Sequence, residues 1–134
     1  MIIGTGIDLA SIDFWSAAIN DPTTSVIEGT FTEQELADAR SGPADTAHRL
    51  ASRFAAKEAF IKAISSSRKG KPPLVSQFDP RTIEVTKDQW GRPSIRLSGD
   101  AKSVAEQLDV AHIWVTLSHE DVFAVAMIVL ESAE

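Results

Sequence analysis

The stretch DTAHRLASRFAAKEAFIKAI, residues 45–64, decides the fold. It is rich in alanine, the best helix former, and carries Leu50, Phe54 and Ile61 at helical spacing. It therefore reads as one long central helix. Projected at about 100° per residue with Leu50 at zero, Phe54 falls near 40° and Ile61 near 20°. Lys57 falls near −20°, inside the apolar stripe, and Glu58 near 80°, on its edge. A buried charge without a partner is costly, so each of the two needs one. Three arrangements satisfy that need. Lys57 and Glu58 can pair with each other, Lys57 can snorkel over the core edge, or the carboxylate can hold a metal while the cations hold phosphate. Arg53 and Lys57 are like charges four residues apart, a mild strain that an anionic ligand would relieve.

Outward from that helix, residues 2–9 (IIGTGIDL) read as a short buried strand with Asp8 near its end. Gly4 and Gly6 inside it mark a bulge or a close approach by another group. Residues 13–20 form a short helix, broken by Asp21-Pro22 and the threonines that follow. Thr32 and Glu35 are spaced as a capping box that opens a helix through about Arg40, ended by Gly42-Pro43. Residues 65–73 read as a polar, basic loop. Residues 82–87 and 93–97 alternate as strands around an Asp88-Gln89-Trp90-Gly91 turn, with Ile83 and Val85 on one face. Residues 100–108 make a short helix. Residues 113–117 and 122–130 make a last hairpin whose turn is Ser118-His119-Glu120-Asp121. This order predicts an α+β fold, a mainly antiparallel sheet packed against one long central helix and shorter helices.

The 134 residues fit a single domain, 1–134. Hydrophobic residues are 43% and charged ones 24%, an ordinary globular balance. With no cysteine, disulfides, thiolate metal sites and cysteine nucleophiles are excluded. No two histidines have zinc-like spacing. The net charge of −6 argues against nucleic-acid binding. No stretch approaches the roughly 20 apolar residues of a membrane span. The N-terminal residues have no basic start, so a cytoplasmic protein is expected. The net charge hides a reversal. Residues 49–71 hold seven cations and one acid, a local +6 that leaves −12 for the rest. Such a segment suits a small polyanion or an acidic protein partner, or it is a solvated helix face.

Asp8 is either a strand-end cap or a metal ligand. With Glu58 it would offer two hard oxygen ligands beside a basic helix, the pattern Mg²⁺ uses with phosphates. His119 sits in a turn, where a histidine is usually a polar turn residue. Gly4-Thr5-Gly6 begins like a dinucleotide fingerprint, but Leu9 stands where the third glycine belongs. Ser67-Arg68-Lys69-Gly70 does not form a Walker A loop.

Taken together, several motifs are specific. Gly6-Ile7-Asp8, residues 31–36 (FTEQEL), residues 53–63 (RFAAKEAFIKA), Gly91-Arg92-Pro93 and residues 115–119 (VTLSH) occur in order over nearly the whole chain. They resemble the 4′-phosphopantetheinyl transferase superfamily, in its short holo-acyl-carrier-protein synthase type. The resemblance implies Mg²⁺-dependent transfer of 4′-phosphopantetheine from coenzyme A to a serine of an acyl carrier protein, releasing adenosine 3′,5′-bisphosphate. It implies Asp8 and Glu58 as Mg²⁺ ligands, and Arg53, Lys57, Lys62 and His119 lining the coenzyme A pocket, to which the nearby Arg49 adds charge. It implies a homotrimer with sites between subunits, and a carrier serving fatty acid or polyketide synthesis. Lys62, near 120° on the helix, can reach the phosphate region beside Glu58. Glu58 is the candidate general base. Short-type members usually carry an arginine where Phe14 stands, so the expectation is a specialised carrier domain rather than, or in addition to, the housekeeping one, with Arg49, Arg68, Lys69 or Lys71 supplying the missing charge. Ala10 fits the short type. Ser65-Ser66-Ser67 replaces the usual Gly-Thr-Gly. A non-catalytic module binding coenzyme A or carrier is the alternative. The retained Asp8 and Glu58 argue for the enzyme. A hydrolase would need an activated nucleophile, which only His119 hints at.

Overall fold

A computed structural model describes residues 1–41 and 45–134. The chain runs β1 (Ile2–Ser11), α1 (Ile12–Ile19), α2 (Val26–Thr30), α3 (Glu33–Arg40), α4 (Thr46–Ser66), a 3-10 turn (Pro80–Thr82), β2 (Ile83–Lys87), β3 (Pro93–Leu97), α5 (Gly99–Gln107), β4 (Val110–His119) and β5 (Phe123–Ser132). Two antiparallel sheets form, one ordered β1-β5-β4 and one a β2-β3 hairpin. The fold class is the expected α+β.

The long helix α4 is the axis of the molecule. Asp45 caps it, its Oδ1 accepting from Ala47 N–H at 2.9 Å. Its fully buried row is Ala47, Ala51, Ala55, Ala59 and Ala63, repeated every four residues. That row, not Phe54 and Ile61, is its deepest face, since those two stay half-buried. Small side chains let β1 come close. A Cβ on Gly6 would lie 1.9 Å from Ala59 O, and one on Gly4 2.2 Å from Ala63 O. The two glycines are thus the close approach anticipated from their position in the strand.

The Thr32–Glu35 capping box opens α3 as expected, with Thr32 Oγ1 accepting from Glu35 N–H and Glu35 Oε1 from Thr32 N–H. The expected stop at Gly42-Pro43 lies outside the described residues. The strands of the larger sheet run two or three residues beyond the expected ends, and three further differences from the sequence reading stand out. α2 is extra, one turn in a segment whose threonines suggested only a break. α4 runs two residues into the supposed loop, to Ser66, where Ser66 Oγ donates to Ala63 O and to Thr5 O of β1. β4 extends to His119, so this histidine ends a strand rather than occupying the turn. Its partner across the ladder is Ala124.

Strand alternation sorts the larger sheet into two faces. Gly4, Gly6, Asp8 and Ala10 of β1 point inward with Ala124, Ala126, Ile128 and Leu130 of β5. On the outer face Ile7, Leu9, Trp114, Phe123 and Met127 stand exposed. Ile7 lies across from Met127 and Leu9 from Val125.

Candidate active site

Strand β1 delivers Asp8 from its inward face to the flank of α4. There Lys62 Nζ donates to Asp8 Oδ1 at 2.8 Å. The lysine side chain is 58% exposed and the aspartate 14%. The hydrogen bond and charge of Asp8 hold the Lys62 ammonium above its usual range. Glu58, one turn back along the helix, is half-buried. Burial and then the charge of Asp8 push its carboxyl up, while Lys62 pulls it down. The three expected groups therefore meet at one place. Glu58 also lines an open cleft of about 650 Å³ between α4 and the segment before β2. Ile61, Ile64, Leu74 and Phe78 give it an apolar wall, and Arg68 and Lys71 charge it.

Among the described residues no group of three or more His, Cys, Asp or Glu side chains forms a metal cage. Asp8 and Glu58 are instead a pair of hard carboxylates. That donor set suits Mg²⁺, which completes its octahedron with waters and substrate phosphates, and does not suit zinc.

Lys57 does not join this site. Its Nζ is buried and donates to Glu35 Oε1 at 2.7 Å, Pro80 O at 2.9 Å and Ile83 O at 2.7 Å. An ammonium has three N–H donors, and all are used. Burial pushes the Lys57 ammonium down while Glu35 holds it up. Glu35 uses its other oxygen to accept from Val85 N–H at 2.9 Å. The sequence reading placed Lys57 on the coenzyme A pocket. In this packing it has no donor left for a ligand. Its partner is Glu35, 22 residues earlier, and not the adjacent Glu58. The side chains at 57 and 58 diverge by one helical step of about 100°.

Arg49, Arg53 and His119 gather elsewhere. Arg53 lies about 140° around the helix from Glu58. It is 2% exposed, its Nη1 donates to Arg49 O at 3.3 Å, and its Nε has no hydrogen-bond partner among the described residues. Burial lowers its affinity for the proton, opposed by Glu35 and Asp38. Lys87, at the end of β2, turns towards the same place. Burial and then the charges of Arg53 and Arg49 push its ammonium down. Two adjoining clefts of about 350 and 300 Å³ share Arg49 and Lys87. The first adds Arg53, Asp38 and Asp88, the second His48 and His119. The rings of His48 and His119 meet edge to face at 5.2 Å. The sequence reading missed Lys87. Its signal was a cation directly before the Asp-Gln-Trp-Gly turn.

So α4 carries two charged stations on different faces. One is a carboxylate pair with a cation, and the other a cation cluster. Comparison with known proteins decides what the combination is. The family model for the 4′-phosphopantetheinyl transferase superfamily matches residues 4–127. The chain belongs to that superfamily. The holo-acyl-carrier-protein synthase of Mycolicibacterium smegmatis is 45% identical over 130 residues, 97% of each chain. Among solved structures, the acyl carrier protein synthase of Mycobacterium tuberculosis matches with a TM-score of 0.76 and 42% identity, covering 98% of this chain and 99% of that one. The Chronobacterium ammoniagenes ACPS–CoA complex matches with a TM-score of 0.85 and 30% identity over 98% of both chains. The transferase is thus an enzyme of the short holo-acyl-carrier-protein synthase type. Among its described residues no helix is long and apolar enough to cross a membrane.

Proposed function

We propose that the protein moves 4′-phosphopantetheine from coenzyme A to a serine of an acyl carrier protein, releases adenosine 3′,5′-bisphosphate, and uses Mg²⁺ held by Asp8 and Glu58. The observation that carries this reading is the Asp8–Lys62 pair beside the raised Glu58 carboxyl. A related chain, 30% identical, is solved as a coenzyme A complex, which supports the donor.

The serine Oγ forms a bond to the β-phosphorus. The bond from that phosphorus to the oxygen shared with the α-phosphate breaks, and the electron pair leaves with the bisphosphate. Lys62 has two N–H donors beyond the one on Asp8, and its exposure lets it reach a phosphate oxygen where negative charge grows. Glu58 takes the serine proton, directly or through one water. When bound, Mg²⁺ supplies Lewis-acid charge at the pyrophosphate. Arg49, Arg53, Lys87 and His119 hold a second phosphate of the same ligand by charge-assisted hydrogen bonds.

The two stations are too far around α4 to be two walls of one narrow pocket. We read the complete site as shared, with Asp8, Glu58 and Lys62 from one subunit and the cation cluster from the next. The exposed apolar outer face of β1-β5-β4 supports association, because monomers rarely leave so continuous a patch in water. A homotrimer with three such sites is the assembly we favour. Exposed Phe14 on α1 brings no charge to an acidic carrier, while Arg68, Lys69 and Lys71 at the larger cleft do. We propose on the ground of Phe14 that the acceptor is a specialised carrier domain, beside or instead of the housekeeping one.

The test is to incubate the protein with coenzyme A, Mg²⁺ and several apo carriers and to weigh the carriers. A gain of one phosphopantetheine, lost in Asp8→Asn and Glu58→Gln, is expected. No gain on any carrier, with coenzyme A still bound, would replace the enzyme by a binding module. Mixing inactive Glu58→Gln and Arg53→Gln subunits should restore part of the activity if the site is shared.

A further inference from the structure

Asp8 reaches its place beside Glu58 because β1 lies along α4, and what fixes the strand there is unusually sparse. β1 is an edge strand, paired by β5 on one side only. Gly4 lies against Ala63 and Gly6 against Ala59, so strand and helix run in opposite directions. These meeting surfaces are backbone and small apolar groups. Their packing is close but non-directional, so it resists separation more than sliding.

Among the described residues hydrogen bonds join β1 to α4 at two rungs only. One is Lys62 on Asp8. The other is Ser66 on Thr5, four residues further along the helix and three residues earlier in the strand. Residues four apart share a helix face, so both rungs stand on one side of α4. Ser66 Oγ accepts from Thr5 N–H at 3.1 Å and donates to Thr5 O at 3.1 Å. It therefore pairs both free-edge groups of one residue, as a neighbouring strand would. A hydroxyl can do this because it is donor and acceptor at once. It also donates to Ala63 O at 3.0 Å, within its own last turn, which holds the side chain in one rotamer.

The two rungs differ in what the reaction asks of them. Once Asp8 turns its carboxylate to a second cation, like-charge repulsion loosens Lys62 from it. The Ser66 rung uses only a hydroxyl and the strand backbone, and it stays. We infer that Ser66 is a positioning residue, whose hydroxyl clasps the Thr5 backbone, sets the register of β1 along α4 and so holds the Asp8 carboxylate where it can share a divalent cation with Glu58. This rests on the use of Asp8 and Glu58 proposed above. Ser66 acts through the strand and not on the substrate.

The experiment compares the full protein with Ser66→Ala, Ser66→Val and Ser66→Thr. It reads amide hydrogen exchange at Thr5, Mg²⁺ affinity of the coenzyme A-bound protein without carrier, kcat and KM for coenzyme A, and the urea midpoint. Ser66→Ala and Ser66→Val should speed Thr5 exchange about tenfold. Both should weaken Mg²⁺ and lower kcat about tenfold, since a small misplacement beside the reacting atoms is costly. KM for coenzyme A should move less than about twofold, because binding of the donor is not what the serine serves. The urea midpoint should hardly change, since water replaces the hydroxyl at this exposed edge. Ser66→Thr keeps the hydroxyl in the shape that Ser66→Val lacks it, and should restore every value. Parental Mg²⁺ affinity and kcat in Ser66→Ala, or no recovery in Ser66→Thr, overturns the assignment. So does a loss of rate accounted for by a fall in the urea midpoint, which would make the serine structural alone. A parent that binds no Mg²⁺ and modifies no carrier overturns the functional reading instead, while Thr5 exchange still tests the clasp.

Discussion

Lys57 and Lys62 stand five residues apart on α4, and each meets a carboxylate brought from another element. The contacts are equally short, 2.7 Å to Glu35 and 2.8 Å to Asp8. Their surroundings are opposite. The Lys57–Glu35 side chains are 1% and 0% exposed, and those of Lys62–Asp8 are 58% and 14%. Lys57 has three acceptors and Glu35 gives its second oxygen to a backbone N–H, so that pair is complete. Lys62 has donors to spare and a second carboxylate near it. An ion pair alone therefore does not mark a site. Spare hydrogen-bonding capacity beside an imperfectly neutralised charge does.

The largest effect should come from breaking the closed pair. Lys57→Met strands the Glu35 carboxylate in the core and should cost about 3–5 kcal/mol in urea unfolding. Lys57→Met with Glu35→Leu removes both charges and should recover part of that loss, not all of it, because Thr32 and Val85 N–H and the Pro80 and Ile83 carbonyls lose their partners. A single variant as stable as the parent would mean that water reaches the pair, and the contrast with Lys62 would fail. The open pair should respond in rate instead. Asp8→Asn should slow transfer about 10²–10³-fold, the scale of losing one transition-state charge contact, while the urea midpoint moves little. A third pair sharpens the comparison from the middle. Glu84 is nearly buried, donated to by Thr32 Oγ1 at 2.6 Å, and bridged to the exposed guanidinium of Arg96. Burial pushes its carboxyl up, but Thr32, Arg96 and Lys57 outweigh that and hold it below the ordinary 4.5. A depressed carboxyl stabilises the fold above its unfolded value and loses that contribution as pH falls through the lowered one. Stability measured downward from pH 5 should therefore decline less in Glu84→Gln than in the parent. This is the smallest of the three effects, since exposed Arg96 is screened by solvent.

Much of this was legible in sequence because it is local. The Thr32–Glu35 box, the Gly4–Gly6 approach, the Asp88–Gly91 turn and the long alanine helix all follow from spacing. The separation of the stations was within reach of the same projection, since Arg53 and Glu58 differ by about 140° on any α-helix, but the sequence reading put Arg53 in one pocket with Lys57, Lys62 and His119. What spacing could not supply was the partner across the fold. Glu35 read as a capping residue, and it is one, yet the same carboxylate also closes the Lys57 pair once α3 packs on α4 and β2. The projection placed Lys57 in the apolar stripe but could not say that Pro80 and Ile83 carbonyls wait there. Lys87 was overlooked for a like reason, because its cationic neighbours come from a helix more than thirty positions away.

One measurement bears on the central claim most directly, that the open pair performs the transfer and the closed pair only holds the fold. It is the rate of phosphopantetheine transfer per folded molecule as Mg²⁺ is titrated, in the parent, Asp8→Asn and the Lys57→Met, Glu35→Leu double variant. Asp8→Asn should need far more Mg²⁺ and stay slow at saturation, while the double variant follows the parent curve within a few-fold. A double variant as slow as Asp8→Asn, or an Asp8→Asn curve matching the parent, would contradict the account.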